Sequence, residues 1–226
     1  MVAEFLVARG GYLDECDVRR VRVLFGFPNQ DENHAVAAAR AALELKQRAA
    51  NLAAELENRW HKKARIGVSL SSGEVATGLF GFQGFEFFSA VGEALDFGDH
   101  LCALNAEYGS EVLVSSETVA ASLDGLEVRP MELVSRGNRR NAEVYELLAL
   151  KHGLTEKEAA AREAFRQGVV HLRKGDPAAA RKMFERAAID GVKDAPLAYF
   201  MDKAVQSAPA RAEEKDKKGR GRKPGA

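Results

Sequence analysis

The chain has 226 residues, of which 46% are hydrophobic and 29% charged, and its formal net charge is zero. This length allows one domain with a real core and an appendage, and the balanced charge favours neither nucleic acid nor a membrane surface as a partner. No apolar run approaches the ~20 residues that cross a bilayer, and the N-terminus lacks the pattern of a signal peptide. Cys16 and Cys102 have no disulfide or metal-ligand spacing, so we expect two reduced thiols and a cytoplasmic location.

The first third of the sequence predicts a helix end, a hairpin and a long helix. The opening residues form the last turns of a helix that Gly10-Gly11 stops. Alternating apolar residues predict strands at Tyr12–Glu15 and Val21–Phe25, joined by a tight turn. A helix rich in Ala, Leu, Glu and Lys then runs from the loop after Pro28 to about Asn58.

The middle of the chain predicts a mixture of strands and helices. Arg65–Ser71 alternates as a strand, and we expect Val75–Phe80 to return from it. Further along, the patterns predict a helix over Val91–Glu107, a buried strand over Glu111–Ser115, a short helix in SSETVAASL and a closing strand over Ala142–Leu147. Because strands and helices do not alternate strictly, the fold class is α+β.

After Leu150 the pattern becomes wholly helical, with three amphipathic helices between about 156 and 205. Small residues at Gly168, Ala180 and Ala187 match the spacing of a tetratricopeptide helix-turn-helix. One such unit cannot bury its own apolar face, so we expect it to dock on the first domain or on a partner. The final twelve residues carry six basic side chains and one acidic one, and the composition after Ser207 predicts disorder.

Five segments between Gly10 and Leu148 resemble, in order and almost without gaps, the class III adenylate/guanylate cyclase family. They are GGYLDECDVRRVRVLFGFP, DENHAVAAARAALEL, RIGVSLSSGEVATGLFG, FFSAVGEALDFGDHLCALNAEYGSEVLVSSET and SRGNRRNAEVYELL. The resemblance implies a ferredoxin-like sheet with covering helices, and it places the family's first strand before Met1. We therefore expect a truncated cyclase-homology domain at 1–150, tetratricopeptide-like helices at 151–207 and a disordered basic tail at 208–226.

The resemblance also implies which residues to look for. In the family, two aspartates hold two Mg²⁺ ions that activate the 3′-hydroxyl and neutralise the phosphates. An asparagine fixes the ribose, an arginine stabilises the charge of the transition state, and a lysine with an aspartate or threonine recognises adenine. The site lies between two subunits.

The metal positions of the family are changed in this sequence. The first aspartate belongs to the strand before Met1, and the second falls on Arg19. An arginine has no lone pair with which to bind a metal ion. Asp17 lies two residues earlier and stays open as a shifted ligand.

The nucleotide-binding positions are changed as well. The lysine falls on Glu15, and its partner falls on Ser89, which can still bond a purine. The ribose asparagine falls on Asp96, and the transition-state arginine falls on His100, which is mostly neutral at pH 7. No catalytic position is intact, so we expect no cofactor, and Mg²⁺ or Mn²⁺ only if the chain is an enzyme.

These residues favour a catalytically inactive cyclase-like module for regulation or interaction in intracellular signalling. A fragment or partner subunit of an active adenylate cyclase remains the alternative, and a gene remnant is a third reading. The expected partner is a second copy or another cyclase domain, with a nucleotide as a further candidate and no membrane or nucleic acid. The missing strand predicts open sheet edges, so the isolated chain is expected to associate and to bind an added strand.

Overall fold

The computed structural model describes residues 2–17, 19–61, 65–136 and 139–207, and the tail predicted at 208–226 lies outside them. The helices are α1 (Val2–Val7), α2 (His34–Trp60), α3 (Glu93–Tyr108), α4 (Ser116–Ala121), α5 (Glu156–Arg173), α6 (Pro177–Ala187) and α7 (Ala195–Gln206). The strands are β1 (Tyr12–Cys16), β2 (Val21–Leu24), β3 (Val68–Leu70), β4 (Ala76–Phe82), β5 (Phe85–Val91), β6 (Val112–Ser115), β7 (Leu126–Arg136) and β8 (Arg139–Leu150). None of the described helices combines the length and apolar character needed to span a membrane.

A four-stranded sheet in the order β3-β6-β8-β7 forms the centre of the molecule. β3 runs parallel to β6, and the other neighbours are antiparallel. Every residue of β6 is buried, and its side chains alternate between two cores. Val112 and Val114 pack with Ala39 and Ala42 of α2, whereas Leu113 belongs to the cluster on the other face. Helices therefore cover the sheet, as the α+β prediction requires.

The three C-terminal helices pack on the face of the sheet opposite α2. Phe165, Phe184 and Phe200 are fully buried, and their ring centroids lie 5.3–5.9 Å apart. They share one core cluster with Phe97 of α3 and Leu113 of β6. The prediction of three docked helices is confirmed. Their tetratricopeptide character and the boundary at residue 150 remain predictions, and the core is continuous across that boundary.

A buried arginine on β7 also ties these helices to the sheet. Arg129 Nε donates to Glu146 of β8 at 2.7 Å, and its two terminal nitrogens donate to both oxygens of Asp194 at 2.6 and 2.7 Å. Asp194 is at the same time the N-cap of α7, where it accepts a hydrogen bond from the backbone N–H of Leu197. The guanidinium carbon lies 4.4 Å from the ring centroid of Phe165. One side chain therefore joins two strands and two helices.

Two hairpins form separate two-stranded sheets beside the central one. β1 pairs with β2, and β4 pairs with β5. The prediction that Val75–Phe80 returns from the strand at Arg65–Ser71 is wrong, because only Val68–Leu70 is a strand there and it pairs with β6. β5 occupies residues up to Val91, so α3 begins at Glu93 rather than at Val91.

Candidate functional site

A fully buried carboxylate, that of Asp14, joins the first hairpin to β5. Its Oδ1 accepts hydrogen bonds from Ser89 Oγ at 3.1 Å and from the Ala90 backbone N–H at 2.9 Å, and its Oδ2 accepts one from Arg22 Nε at 2.7 Å. The side chain is 0% exposed. A buried charge is tolerated only when it is paired and hydrogen-bonded, as this one is. The hydroxyl proton of Ser89 is therefore used in the hydrogen bond to Asp14.

Glu15, on the next position of β1, lies in a cluster of charges. It forms ion pairs with Arg20 at 2.7 Å and with Arg22 at 2.9 Å. Arg20 also reaches Asp99 of α3 at 2.6 Å. The hydrogen bond to Glu15, followed by the charge of Asp99, raises the pKa of the Arg20 guanidinium. The position at which the resemblance predicts a lysine is thus acidic, and arginines of the same hairpin neutralise it.

The turn between β1 and β2 holds the two candidate metal positions. Asp17 Oδ1 accepts the backbone N–H groups of Arg19 and Arg20, both at 2.6 Å, and these hydrogen bonds lower the pKa of Asp17. The carboxylate therefore closes the turn in the way that aspartates often do. Arg19 is exposed beside it. Among the described residues, no three His, Cys, Asp or Glu side chains cluster to hold a metal ion.

The other two predicted positions lie on the exposed surface of α3. Asp96 is in the first turn of the helix, where an acidic side chain is favoured by the helix dipole. His100 is exposed one turn later, with its ring 6.3 Å from that of Phe97. Asp99, between them in sequence, points back to Arg20 of the hairpin. The structure therefore brings Glu15 and Ser89 into one polar network and leaves Asp96 and His100 at its edge.

Four members of that network lie within the segments that resemble cyclases, but at positions to which the resemblance assigns no role. Asp14, Arg20, Arg22 and Asp99 satisfy the two predicted base-binding positions, and none of them was a candidate. The hairpin register places Glu15 opposite Arg22. Opposite charges directly across an antiparallel pair are a stabilising pattern, and this signal could have been used.

The chain is similar to several nucleotide cyclases. It is 25% identical over 162 residues to adenylate cyclase 1 of Rhizobium meliloti (strain 1021), a match covering 70% of this chain and 24% of that protein, so the chain spans about a quarter of that relative. The adenylyl cyclase CyaB of P. aeruginosa superposes with a TM-score of 0.57 at 21% identity, over 68% of this chain and 80% of that one. The guanylyl cyclase Cya2 superposes at 0.58 and 19% identity, over 68% and 78%. No protein-family model matches the chain. The chain therefore has the cyclase-like fold of the adenylyl and guanylyl cyclases, as its resemblance to them predicts.

Proposed function

We propose that this chain is a cyclase-like signalling module that makes no cyclic nucleotide and acts by regulating or binding another protein. The observation that carries the proposal is the closed network at the two base-binding positions. While Ser89 donates to Asp14 it can only accept from a purine, and donating its proton to a base instead would take a partner from the buried carboxylate of Asp14, at a cost of ~1–3 kcal/mol. Glu15 offers no donor in place of the lysine and is held by Arg20 and Arg22.

The turn supports the same conclusion for the metal side. Mg²⁺ is bound in such sites by carboxylates together with substrate phosphates. Arg19 brings a positive charge to this position, and Asp17 already accepts two backbone hydrogen bonds. A divalent cation at the turn therefore meets repulsion from Arg19 and competition for the oxygen of Asp17.

The first test is nucleotide turnover. We expect the chain to form no cyclic AMP from ATP and no cyclic GMP from GTP above background, with Mg²⁺ or with Mn²⁺, because Arg19 stands at one of the metal positions that the resemblance implies and Asp17 already accepts two backbone hydrogen bonds. Product is measured by chromatography, and Asp17→Ala serves as the matched variant. Product from the unaltered chain that disappears in Asp17→Ala would show that Asp17 is a shifted metal ligand and that the proposal is wrong.

The second candidate function is that of a partner subunit in an active adenylate cyclase, which the 25% identity to such an enzyme favours. The same assay distinguishes a regulatory module from a partner subunit when a cyclase domain with intact metal aspartates is added. A subunit that contributes to the shared site loses activity in Asp96→Ala and His100→Ala. A purely regulatory module changes the rate of the added domain equally with and without these substitutions.

The hairpin of β4 and β5 is the surface on which we propose that pairing occurs. Apart from the end that Asp14 holds at Ser89 and Ala90, most of its residues are exposed, including Leu79 at 70%, Phe82 at 73% and Phe85 at 67%. An isolated two-stranded hairpin is marginally stable in water, and a contiguous exposed apolar patch marks an interaction site. The resemblance to a family whose sites lie between two subunits points to a second cyclase-type domain, in the first instance another copy of this chain.

A double substitution tests this surface. We expect Phe82→Ser with Phe85→Ser to weaken self-association by at least about 10²–10³-fold, because each ring removes roughly 2 kcal/mol of apolar burial from the interface and both copies lose both rings. Sedimentation equilibrium measures the change, and Val192→Ser, 61% exposed in a loop, is the control with no expected effect. A chain that stays monomeric at the highest concentrations before any substitution contradicts pairing between copies.

A further inference from the structure

Two carboxylates from different elements meet at the C-terminal end of α3. Glu107 lies in the last turn of this helix, and Glu132 lies on β7. The Tyr199 hydroxyl of α7 is 3.3 Å from Oε1 of each, so the two oxygens are no more than twice that distance apart. A phenol has a single proton to donate, so only one of the two carboxylates receives it at any moment.

The position of Glu107 is electrostatically unfavourable. The C-terminal end of a helix carries a partial negative charge, which disfavours an acidic side chain there. α3 contains four acidic residues and no lysine or arginine, so its own side chains do not offset this charge. Lys203 of α7 pairs with Glu132, but no described residue forms an ion pair with Glu107. The pair of carboxylates therefore has an excess of negative charge.

A buried tyrosine beside the two carboxylates has an unused hydroxyl. Tyr108 is 3% exposed, and its ring packs against that of Tyr199 with the centroids 5.2 Å apart. Burial, followed by the charges of Glu132 and Glu107, raises the pKa of its hydroxyl. This hydroxyl forms no hydrogen bond with any described residue. A phenol oxygen can accept a hydrogen bond from an ammonium or guanidinium group, so the site fits a cation.

The chain itself carries a cation-rich run after α7. Residues 217–223, KKGRGRK, contain five basic residues and no acidic one. Residues 208–226 have seven basic and three acidic residues and a formal charge of +4, so residues 1–207 have a formal charge of −4. Opposite charges on two surfaces favour their association and fix how they meet.

The basic run is close enough to reach the carboxylates. Lys203 contacts Glu132, and Ser207 follows four residues later, about 6 Å further along α7. Ten residues of flexible chain, the separation of Ser207 from Lys217, have a root-mean-square span of about 16–19 Å. A linker of this length gives an effective concentration in the millimolar range, so even a weak contact is populated.

We propose that residues 217–223 bind within the same chain to the acidic surface formed by Glu107, Glu132 and Tyr108. The cations of the run neutralise Glu107 and donate to the Tyr108 hydroxyl. A basic segment of a second copy fits the same groups but lacks the effective concentration that the linker gives. The contact lies on α3 and β7, apart from the β4–β5 hairpin, and does not depend on whether the chain makes cyclic nucleotide.

The test is paramagnetic relaxation enhancement in NMR spectra of the full chain. The exposed Cys16 and Cys102 are replaced by serine, and a nitroxide label is attached to Ala226→Cys, three residues after the basic run. Phe82→Ser and Phe85→Ser are included, so that hairpin pairing plays no part.

We expect the label to act selectively on the acidic surface. Amide signals of residues 105–110 and 131–134 should lose more than about half of their intensity, because a millimolar effective concentration keeps the contact occupied for much of the time. Signals of α4, which packs on the opposite face of the sheet with Val119, should lose much less. In 1 M salt, where the Debye length is about 3 Å, the intensities at the acidic surface should recover.

Charge-neutralising variants test which side chains are responsible. Glu107→Gln with Glu132→Gln should restore the signals. Glu163→Gln with Glu185→Gln, which removes two charges from the exposed faces of α5 and α6, should leave the loss of intensity unchanged. Replacing the five basic residues of the run by glutamine alters no residue of the acidic surface and should also restore the signals. Thermal melts confirm that each variant is folded.

Three results overturn the proposal. The first is a label that affects the acidic surface no more than α4. The second is a loss of intensity that persists when the basic run is replaced by glutamine or when both carboxylates are neutralised. The third comes from mixing a labelled chain with an isotope-enriched chain that carries no nitroxide. An equal loss of intensity in that mixture means that the run binds a second copy and not its own chain.

Discussion

Replacing Arg129 with alanine is expected to lower the free energy of unfolding by about 3–5 kcal/mol. The side chains of Arg129 and Glu146 are each 9% exposed, and Asp194 is 25% exposed. Without the guanidinium, two carboxylates remain close together with no positive partner between them, and α7 loses its link to β7. Urea unfolding at neutral pH measures the difference.

The control for this prediction is an arginine that is ion-paired but exposed. Arg181 pairs with Glu185 four residues later on α6, and both side chains are more than half exposed. Such pairs contribute roughly 0.3–0.5 kcal/mol, so Arg181→Ala should be nearly neutral. A loss below 1 kcal/mol for Arg129→Ala would mean that the buried cluster does not hold the helices on the sheet.

The effect of Arg129→Ala should also depend on pH. Burial alone would raise the pKa of Asp194, but hydrogen bonds from Arg129 outweigh it and hold that pKa below its usual value, whereas burial raises the pKa of Glu146. A carboxylate with a lowered pKa contributes stability above its unfolded pKa, near 3.9, and loses it as the pH falls through the folded value. The difference in the free energy of unfolding between the unaltered chain and the Arg129→Ala variant should therefore become smaller below about pH 4.

Truncating Phe184 to alanine is expected to cost about 3–5 kcal/mol, because the ring is fully buried among two other phenylalanines. The same ring explains the glycine opposite it on α5. A Cβ added at Gly168 would lie 2.5 Å from Cδ1 and 2.9 Å from Cζ of Phe184. Gly168→Ala alone should therefore destabilise the protein by about 1–3 kcal/mol.

The sign of the Gly168→Ala effect should reverse when Phe184 is already alanine. The methyl group then lies in the space that the Phe184 ring occupied. Alanine is also favoured over glycine within a helix by ~1 kcal/mol. Gly98→Ala, on α3, is the matched control, because its Cβ would lie 3.5 Å from Ser71 and makes an ordinary contact. Equal effects of Gly168→Ala in both backgrounds would contradict the close packing of α5 on α6.

The elements that the sequence predicted well are those with long or strong patterns. The prediction for α2 ended at Asn58 and the helix ends at Trp60, and the buried strand β6 and the three C-terminal helices lie where their periodicity indicated. β7 was missed, because Pro130 interrupts its pattern. A proline is tolerated there since β7 is the edge strand of its sheet.

The sequence predicted the positions of the candidate site residues but not the contacts that these residues make. Counting along the family motifs gave Glu15, Arg19 and Ser89, but not what surrounds them. Ser89 meets Asp14 across 75 residues of sequence. Such a contact depends on how two hairpins pack, and neither hairpin's own pattern determines that packing.

The shared core has a consequence for how the chain opens. Phe165, Phe184 and Phe200 lie in one cluster with Leu113 of β6, an interior strand of the sheet. Undocking of the three C-terminal helices would expose this face of the sheet at the same time. The helices and the sheet should therefore unfold together rather than in separate steps. Amide protons of α5 and of β6 should then exchange with solvent through one common event, with the same protection free energy. The β4–β5 hairpin, which lies outside that cluster, should exchange independently and much sooner.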